Sequence, residues 1–165
     1  MKTFARLAFS LALAALVAAV PGAADAAVKR LVIRPNDLTP FVTQQVDSRY
    51  GAFNSATGLT LFWQELRLPA GSKIRSLRYR RFATAANPTV VGLDRVNPGQ
   101  TPAWQRILQG IGTDVSPAGS IGTIVTASPM GVSRKVTRGW SYFVLVSTES
   151  CGAGVGDIPV VYSTP

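Results

Sequence analysis

The sequence contains no histidine among its 165 residues and only one cysteine, Cys151. Without an imidazole there is no Ser–His–Asp or Cys–His pair, and no metal site with histidine ligands. A lone thiol forms no disulfide within the chain, and without a histidine it is poorly activated as a nucleophile. We therefore interpret Cys151 as structural or incidental, either unpaired or bonded to another chain.

Acidic residues are also few, at 8 in the whole chain. They form no Asp-rich loop of the kind that binds calcium and no close pair of carboxylates. Glu65 is the one carboxylate on a strongly predicted strand, and an exposed side chain paired with an arginine is the simpler interpretation. We expect no catalytic residue, metal or cofactor; a hydrolase built on Glu65 and a second acid is a distant alternative.

The first 26 residues have the pattern of an export signal. Lys2 and Arg6 precede an apolar run at residues 7–20, and the sequence Ala24-Asp25-Ala26 matches a signal-peptidase site. The run is shorter than the roughly 20 residues that cross a bilayer, and no second long apolar run follows. We expect a cleaved signal peptide at 1–26, a single domain at 27–165, and a periplasmic or extracellular protein without a transmembrane segment.

The domain is rich in turn residues, with 15 glycines and 11 prolines in the whole chain, and shows no convincing amphipathic helix. Short apolar or alternating runs separated by turn signals are typical of a β-sandwich or barrel. The main predicted strands lie at residues 28–34, 59–68, 73–82, 89–96, 121–127, 140–148 and 158–163. Residues 41–46, 49–55 and 132–138 are weaker candidates, 104–108 fits a strand or a helical turn, and 150–157 reads as a loop. We predict an all-β, two-sheet antiparallel sandwich, jelly-roll-like, with about eight strands.

Two of these strands carry apolar residues on both faces. In residues 59–68, Leu61 and Trp63 alternate with Phe62 and Leu66, and residues 140–148 show the same character. Such strands are typically covered on both sides. The turn at residues 69–72, with Pro69 and Gly71, predicts a tight reversal that joins 59–68 to 73–82 as an antiparallel pair.

The chain resembles a group of uncharacterised secreted bacterial β-sandwich domains. The resemblance covers most of the domain and lies in IRPNDLTP, LRLPAGSKIRSLRYRRF, TVVGLDRV and SYFVLVSTES with GDIPVVYSTP. It implies the sandwich fold. It implies no activity, because none is established for that group.

Positive charge is the one feature that points to a function. The chain has 17 lysines and arginines, mostly arginine, and a net charge of +9, and arginine favours bidentate contact with carboxylates and phosphates. Within residues 73–82, Leu77 and Tyr79 alternate with Arg78 and Arg80, which places the two arginines on one face about 7 Å apart. Two clusters are the candidate anion-binding residues: Lys73, Arg75, Arg78, Arg80 and Arg81, and then Arg134, Lys135 and Arg138.

Two hypotheses follow. The first is an exported, non-enzymatic binding module that holds an anionic polymer, such as an acidic polysaccharide, lipopolysaccharide phosphates or extracellular nucleic acid. Tyr79 and Phe82 would then stack on bases or sugars, although core packing explains Tyr79 more simply. The alternative is a structural protein that self-associates through its sheet faces. Against both stands the simpler interpretation that the charge only keeps an exposed sheet edge soluble.

Overall fold

The computed structural model describes residues 26–40, 46–47, 51–53, 60–83, 87–116, 122–148 and 153–165. Cys151, Glu149 and nearly all of the predicted signal peptide lie outside these ranges. The strands are β1 (Val28–Ile33), β2 (Thr39–Pro40), β3 (Val46–Asp47), β4 (Gly51–Phe53), β5 (Thr60–Leu66), β6 (Lys73–Ala83), β7 (Thr89–Val96), β8 (Trp104–Gly112), β9 (Thr123–Thr126), β10 (Ser128–Pro129), β11 (Ser141–Thr148), β12 (Ala153–Val155) and β13 (Ile158–Ser163). A single 3₁₀ turn, Pro35–Asp37, is the helical element of the described residues, and none of them lies in a helix long and apolar enough to cross a membrane.

The strands form two antiparallel sheets. We name as sheet A the one with the order β1-β13-β6-β12-β4-β3, in which β9 also pairs with β6. Sheet B has the order β10-β8-β7-β11-β5-β2. The prediction of an all-β, two-sheet antiparallel sandwich is confirmed, and the strands beyond the predicted eight are mostly short pieces of two or three residues.

The core lies between the sheets and is built from alternate residues of each strand. Sheet A contributes Ile74, Leu77 and Tyr79 from β6, and sheet B contributes Phe62 from β5 and Val144 from β11, all of them 1% exposed or less. Burial of apolar surface contributes roughly 25 cal/mol per Å², so this layer supplies most of the stability of a domain without a described disulfide. Because successive side chains of a strand point to opposite faces, the buried positions also identify the residues that point outward.

The predicted pairing of residues 59–68 with 73–82 is wrong. The turn exists, since Gly71 has a φ of 86° and Ser72 N donates to Pro69 O at 3.1 Å. However, β5 pairs with β11 and β2 in sheet B, whereas β6 pairs with β13, β12 and β9 in sheet A. The turn therefore carries the chain from one sheet to the other, because the apolar faces of the two strands meet across the core rather than side by side.

Three weaker expectations also changed. Residues 104–108, left open between strand and helical turn, belong to the long strand β8. Residues 132–138 form no strand and contribute only an isolated bridge between Lys135 and Lys73. The glycine-rich stretch at 150–157, expected as a loop, contains β12, which pairs with β4 and β6.

The expectation that β5 and β11 are covered on both sides holds for the inner side alone. Phe62 and Val144 are fully buried, but Trp63, Phe143 and Leu145 on the outer side are only half-buried. The outer surface of sheet B therefore carries large apolar side chains that are partly exposed in the part of the chain that the structure describes.

Candidate anion-binding face

Strand β6 separates its residues cleanly between core and solvent. Leu77 and Tyr79 are buried, whereas Arg78 is exposed and Arg80 is half-buried. Successive side chains of a strand point to opposite faces, so Arg78 and Arg80 leave the outer surface of sheet A together. This matches the alternation in the sequence.

A β-bulge lets one more arginine join them. The register between β13 and β6 shifts between Val161 and Tyr162, which pair with Ser76 and Ile74, so Arg75 is an extra residue without a partner on β13. The extra residue shifts the alternation by one, because Ile74 and Leu77 are three residues apart and both point inward, so Arg75 lies on the outer side. Arg75 is exposed, and its Nε donates to Ser163 Oγ at 3.1 Å.

The second basic cluster lies against the start of β6. Ile74 N donates to Arg134 O at 2.9 Å, and Val136 N donates to Ser72 O at 2.7 Å. Between these bonds Lys135 forms a bridge directly opposite Lys73, and Arg134 Nη1 donates to Arg75 O at 3.3 Å. Residues far apart in the sequence are thus joined into one patch of positive charge.

Lys73 and Lys135 are both exposed and occupy opposing positions of an antiparallel bridge. Side chains at such positions share a face with their Cβ atoms about 5 Å apart, and like charges there are destabilising. An anion bound between them would remove that repulsion.

We use the name cationic face for these exposed or half-buried residues on the outer surface of sheet A. Strands β1, β6, β9, β12 and β13 contain no aspartate or glutamate. Sheet A does contain Asp47 in β3, and Asp157 lies in the connection between β12 and β13. The cationic face comprises Lys73, Arg75, Arg78, Arg80, Arg134, Lys135 and Arg30.

Arg30 was missed by the sequence reasoning. It lies on β1, which pairs with β13, and its partner Val161 pairs in turn with Ser76 of β6. The alternation of VKRLVI showed that Arg30 shares a face with Val28 and Val32, but not that β1 lies beside the basic cluster. That placement depends on long-range strand pairing.

Arg81 does not belong to the face, which corrects its place among the candidates. It points inward with Leu77 and Tyr79, and its exposed fraction is 0%. Its Nε donates to Thr89 Oγ1 at 3.3 Å and its Nη2 donates to Asn87 O. Burial lowers the pKa of the Arg81 guanidinium, with Tyr79 and Asp114 acting in the opposite direction. Its role in the fold is to hold the chain around residues 87–89 against the core.

Arg138 is exposed but lies apart from the merged cluster. It sits in the turn before β11, where Trp140 N donates to Thr137 O at 3.4 Å. Within the described residues it forms no hydrogen bond or ion pair with the cationic face. The structure thus unites five of the predicted residues directly around β6 and residues 134–135, adds Arg80 farther along β6, and leaves Arg138 separate.

The face offers little for base stacking. Tyr79 is 1% exposed and its hydroxyl donates to Thr89 O at 2.8 Å, so its ring belongs to the core. Burial also raises the pKa of Tyr79 above its usual range. Phe82 is half-buried near Gly122 and Gly156, where an added Cβ would come within 2.8 Å and 3.0 Å of its ring. Tyr79 is therefore unavailable for stacking, whereas Phe82 follows Arg78 and Arg80 on the outer side of β6 and is half-buried there.

Glu65, the carboxylate on which the hydrolase alternative depends, has an exposed side chain. Glu65 and Asp37 line the same open groove of about 560 Å³, and both side chains are exposed. Asp37 Oδ2 accepts a hydrogen bond from Arg34 N at 2.8 Å, which ties it to the 3₁₀ turn. Among the described residues, no three or more Cys, Asp or Glu side chains are grouped as metal ligands.

Comparison with known proteins places the chain in no family. No family model matches the sequence, and no curated protein matches it. Among solved structures, a similar chain is from work on promiscuous carbohydrate-binding modules of the β-sandwich superfamily, with 10% identity and a TM-score of 0.41. The match covers 82% of this chain and 55% of that one, so this chain spans little more than half of its length. A similarity of this degree carries no information about a ligand.

Proposed function

We propose that the protein is an exported, non-enzymatic module that binds an acidic polysaccharide through the cationic face. The observation that carries the proposal is the bridge between Lys73 and Lys135, which merges the two basic clusters beside Arg75. Guanidinium and ammonium groups that leave one face of a sheet suit a linear chain of carboxylates, since arginine binds carboxylates in a bidentate manner.

The choice of a polysaccharide over a nucleic acid depends on the aromatic residues. Proteins that bind single-stranded nucleic acid combine basic residues with exposed rings on which the bases stack. Here the ring of Tyr79 is buried in the core, and Phe82 is held near Gly122 and Gly156. A polyanion that needs charge and no stacking surface is the better match. The export signal predicted at 1–26 agrees with a ligand outside the cytoplasm.

The proposal is tested by binding of the mature chain to sodium alginate, a polyuronate, across a range of NaCl concentrations. Because binding releases counterions, affinity is expected to fall steeply as salt rises. The double variant Arg75→Gln/Lys135→Gln is expected to bind at least tenfold more weakly at low salt. The slope of log affinity against log salt concentration is expected to be less steep in this variant, by about one to two.

The matched control is Arg67→Gln/Arg138→Gln, which removes the same net charge at exposed positions outside the cationic face. It is expected to retain most of the affinity and the salt dependence. Equal losses in both double variants would show that net charge, not this face, binds alginate. Tighter binding to single-stranded DNA than to alginate would favour a nucleic acid, and no binding to either would overturn the proposal.

A further inference from the structure

A second surface, on the opposite side of the sandwich, has a different character. The outer surface of sheet B contains an open groove of about 450 Å³, and we name it the aromatic groove. Its rings are those of Trp63, Phe143 and Trp104, and Leu61, Leu145 and Asp94 also line it. Trp63 and Phe143 lie with ring centroids 5.7 Å apart and planes tilted by 58°, and Trp104 is 56% exposed. Clefts of this size with apolar walls and few polar groups are typical of small-ligand sites.

Polar groups are fixed at one side of the aromatic groove by a second bulge. The register between β7 and β8 shifts after Leu93, so Asp94 lies opposite Arg106 and not opposite Ile107. Arg106 Nε and Nη2 donate to Asp94 Oδ1 and Oδ2 at 2.8 Å and 3.0 Å, and Nη1 donates to Gln109 Oε1 at 3.4 Å. The carboxylate is almost fully buried, with 3% of its side chain exposed. A bidentate pair of this kind holds its guanidinium in one orientation.

Gly92 is the position that allows this arrangement. A Cβ added there would lie 2.7 Å from Arg106 Nε and 2.8 Å from its Cζ, so the guanidinium lies directly on the backbone of β7. The same guanidinium carbon is 5.7 Å from the centroid of the Trp104 ring. Of the five N–H groups of an arginine, those not donated to Asp94 and Gln109 remain for a ligand. Flat rings and a fixed hydrogen-bond donor therefore adjoin each other on a rigid sheet.

The open shape of the aromatic groove selects among apolar ligands. An acyl chain is apolar all round and would leave half of its surface in water here. A second copy of the chain would place one concave surface against another in a two-fold contact, which leaves a void where the two grooves meet. A sugar ring has an apolar C–H face that lies on an aromatic ring, and hydroxyl groups at its edges that remain in water or bond to polar side chains.

We infer that the aromatic groove is a second binding site, which takes the neutral pyranose rings of an oligosaccharide. The ring faces lie on Trp104 and on the Trp63–Phe143 pair, and hydroxyl groups bond to Arg106 and its partners. The site is independent of the cationic face, because the two lie on opposite outer surfaces of the sandwich and use different chemistry.

The experiment is calorimetric titration of the mature chain with cellohexaose, xylohexaose and mannohexaose at about 1 M NaCl, where charge attraction is largely screened. Binding to at least one of the three is expected, and Trp104→Ala and Trp63→Ala are each expected to weaken it at least tenfold. Because Trp104 is largely exposed, its truncation leaves the core intact, which circular dichroism and thermal unfolding check. Ile111→Ala is the matched control, since Ile111 is also 56% exposed on the same outer surface but lies outside the groove.

Gly92→Ala tests the polar part of the site without removing any polar group. The added methyl group would displace the guanidinium of Arg106 from its place over β7, so binding is expected to weaken severalfold. Thermal unfolding of the same variant measures what the disturbed pairing with the buried Asp94 costs the fold. Absence of binding to all three hexasaccharides would overturn the inference, as would equal weakening by Ile111→Ala. A dimer in light scattering that Trp104→Ala dissociates would overturn it too, and would identify a second copy as the occupant.

Discussion

The two outer surfaces of the sandwich differ in how their charges are compensated. On sheet A, Lys73 and Lys135 face each other across a bridge, and the strands around them carry no acid. On sheet B, Arg106 is held by both oxygens of Asp94 and lies beside Trp104. Sheet A presents a cluster of positive charge that an external anion would neutralise, whereas the groove of sheet B presents apolar surface beside an arginine that is already paired with a carboxylate.

This difference arises from small departures from regular pairing. The bulge at Arg75 adds a cation to sheet A, and the register shift after Leu93 brings Arg106 opposite Asp94 in sheet B. Bulges re-aim side chains at the cost of one unpaired residue. In both sheets an irregularity of one residue therefore determines which charged side chain reaches the surface.

The largest predicted effect concerns the distinction between the two sides of β5. Phe62→Ala removes a fully buried ring from the core and is expected to lower the free energy of unfolding by about 3–5 kcal/mol. Trp63→Ala, at the next residue, removes a half-buried ring from the outer surface and is expected to cost about 1 kcal/mol. Urea denaturation of the two variants measures the difference. Similar large costs would mean that Trp63 is packed as tightly as Phe62 and that the two sides of β5 do not differ.

The next prediction compares two arginines of β6. Arg81→Ala leaves a cavity and an unbonded carbonyl at Asn87, so we expect a loss of about 2–4 kcal/mol in the free energy of unfolding. Arg78→Ala, on the cationic face, is expected to change it by less than about 0.5 kcal/mol and instead to weaken alginate binding. Chemical denaturation and the alginate titration together separate the two roles. Weaker binding in Arg81→Ala without loss of stability would return Arg81 to the cationic face.

Alternation along a single strand was readable from the sequence, and it placed Leu77 and Tyr79 inside and Arg78 and Arg80 outside. Arg81 was grouped with the other basic residues because it continues their run in the sequence. It lies two residues after Tyr79, however, and therefore points inward with it. A two-residue period decides the face of each side chain once the strand is assigned.

What local patterns could not supply was the pairing of distant strands. Residues 69–72 have the composition of a hairpin turn, yet they join different sheets, since the choice between pairing sideways and packing across the core is made by the whole sandwich. The meeting of Lys135 with Lys73 and of Arg106 with Asp94 depends on register over long separations. For the same reason, the sequence predicted that both faces of β5 and β11 are covered, whereas in the structure Trp63 and Phe143 line a groove.

The smallest predicted effect tests whether the cationic face costs stability. Lys135→Glu places a carboxylate opposite Lys73 in place of a second ammonium group, and opposite charges at such positions are favourable. We expect the free energy of unfolding to rise by about 0.5–1 kcal/mol at low salt, and the gain to vanish near 1 M NaCl because the pair is exposed. Arg138→Glu makes the same change in net charge in an isolated turn and is expected to give a smaller gain. If Lys135→Glu stabilises the fold while weakening alginate binding, then the pair of lysines lowers the stability of the free protein and contributes to binding the ligand. If it leaves stability unchanged, the lysine side chains diverge in solution, and the contrast between the two outer surfaces lies in their aromatic residues alone.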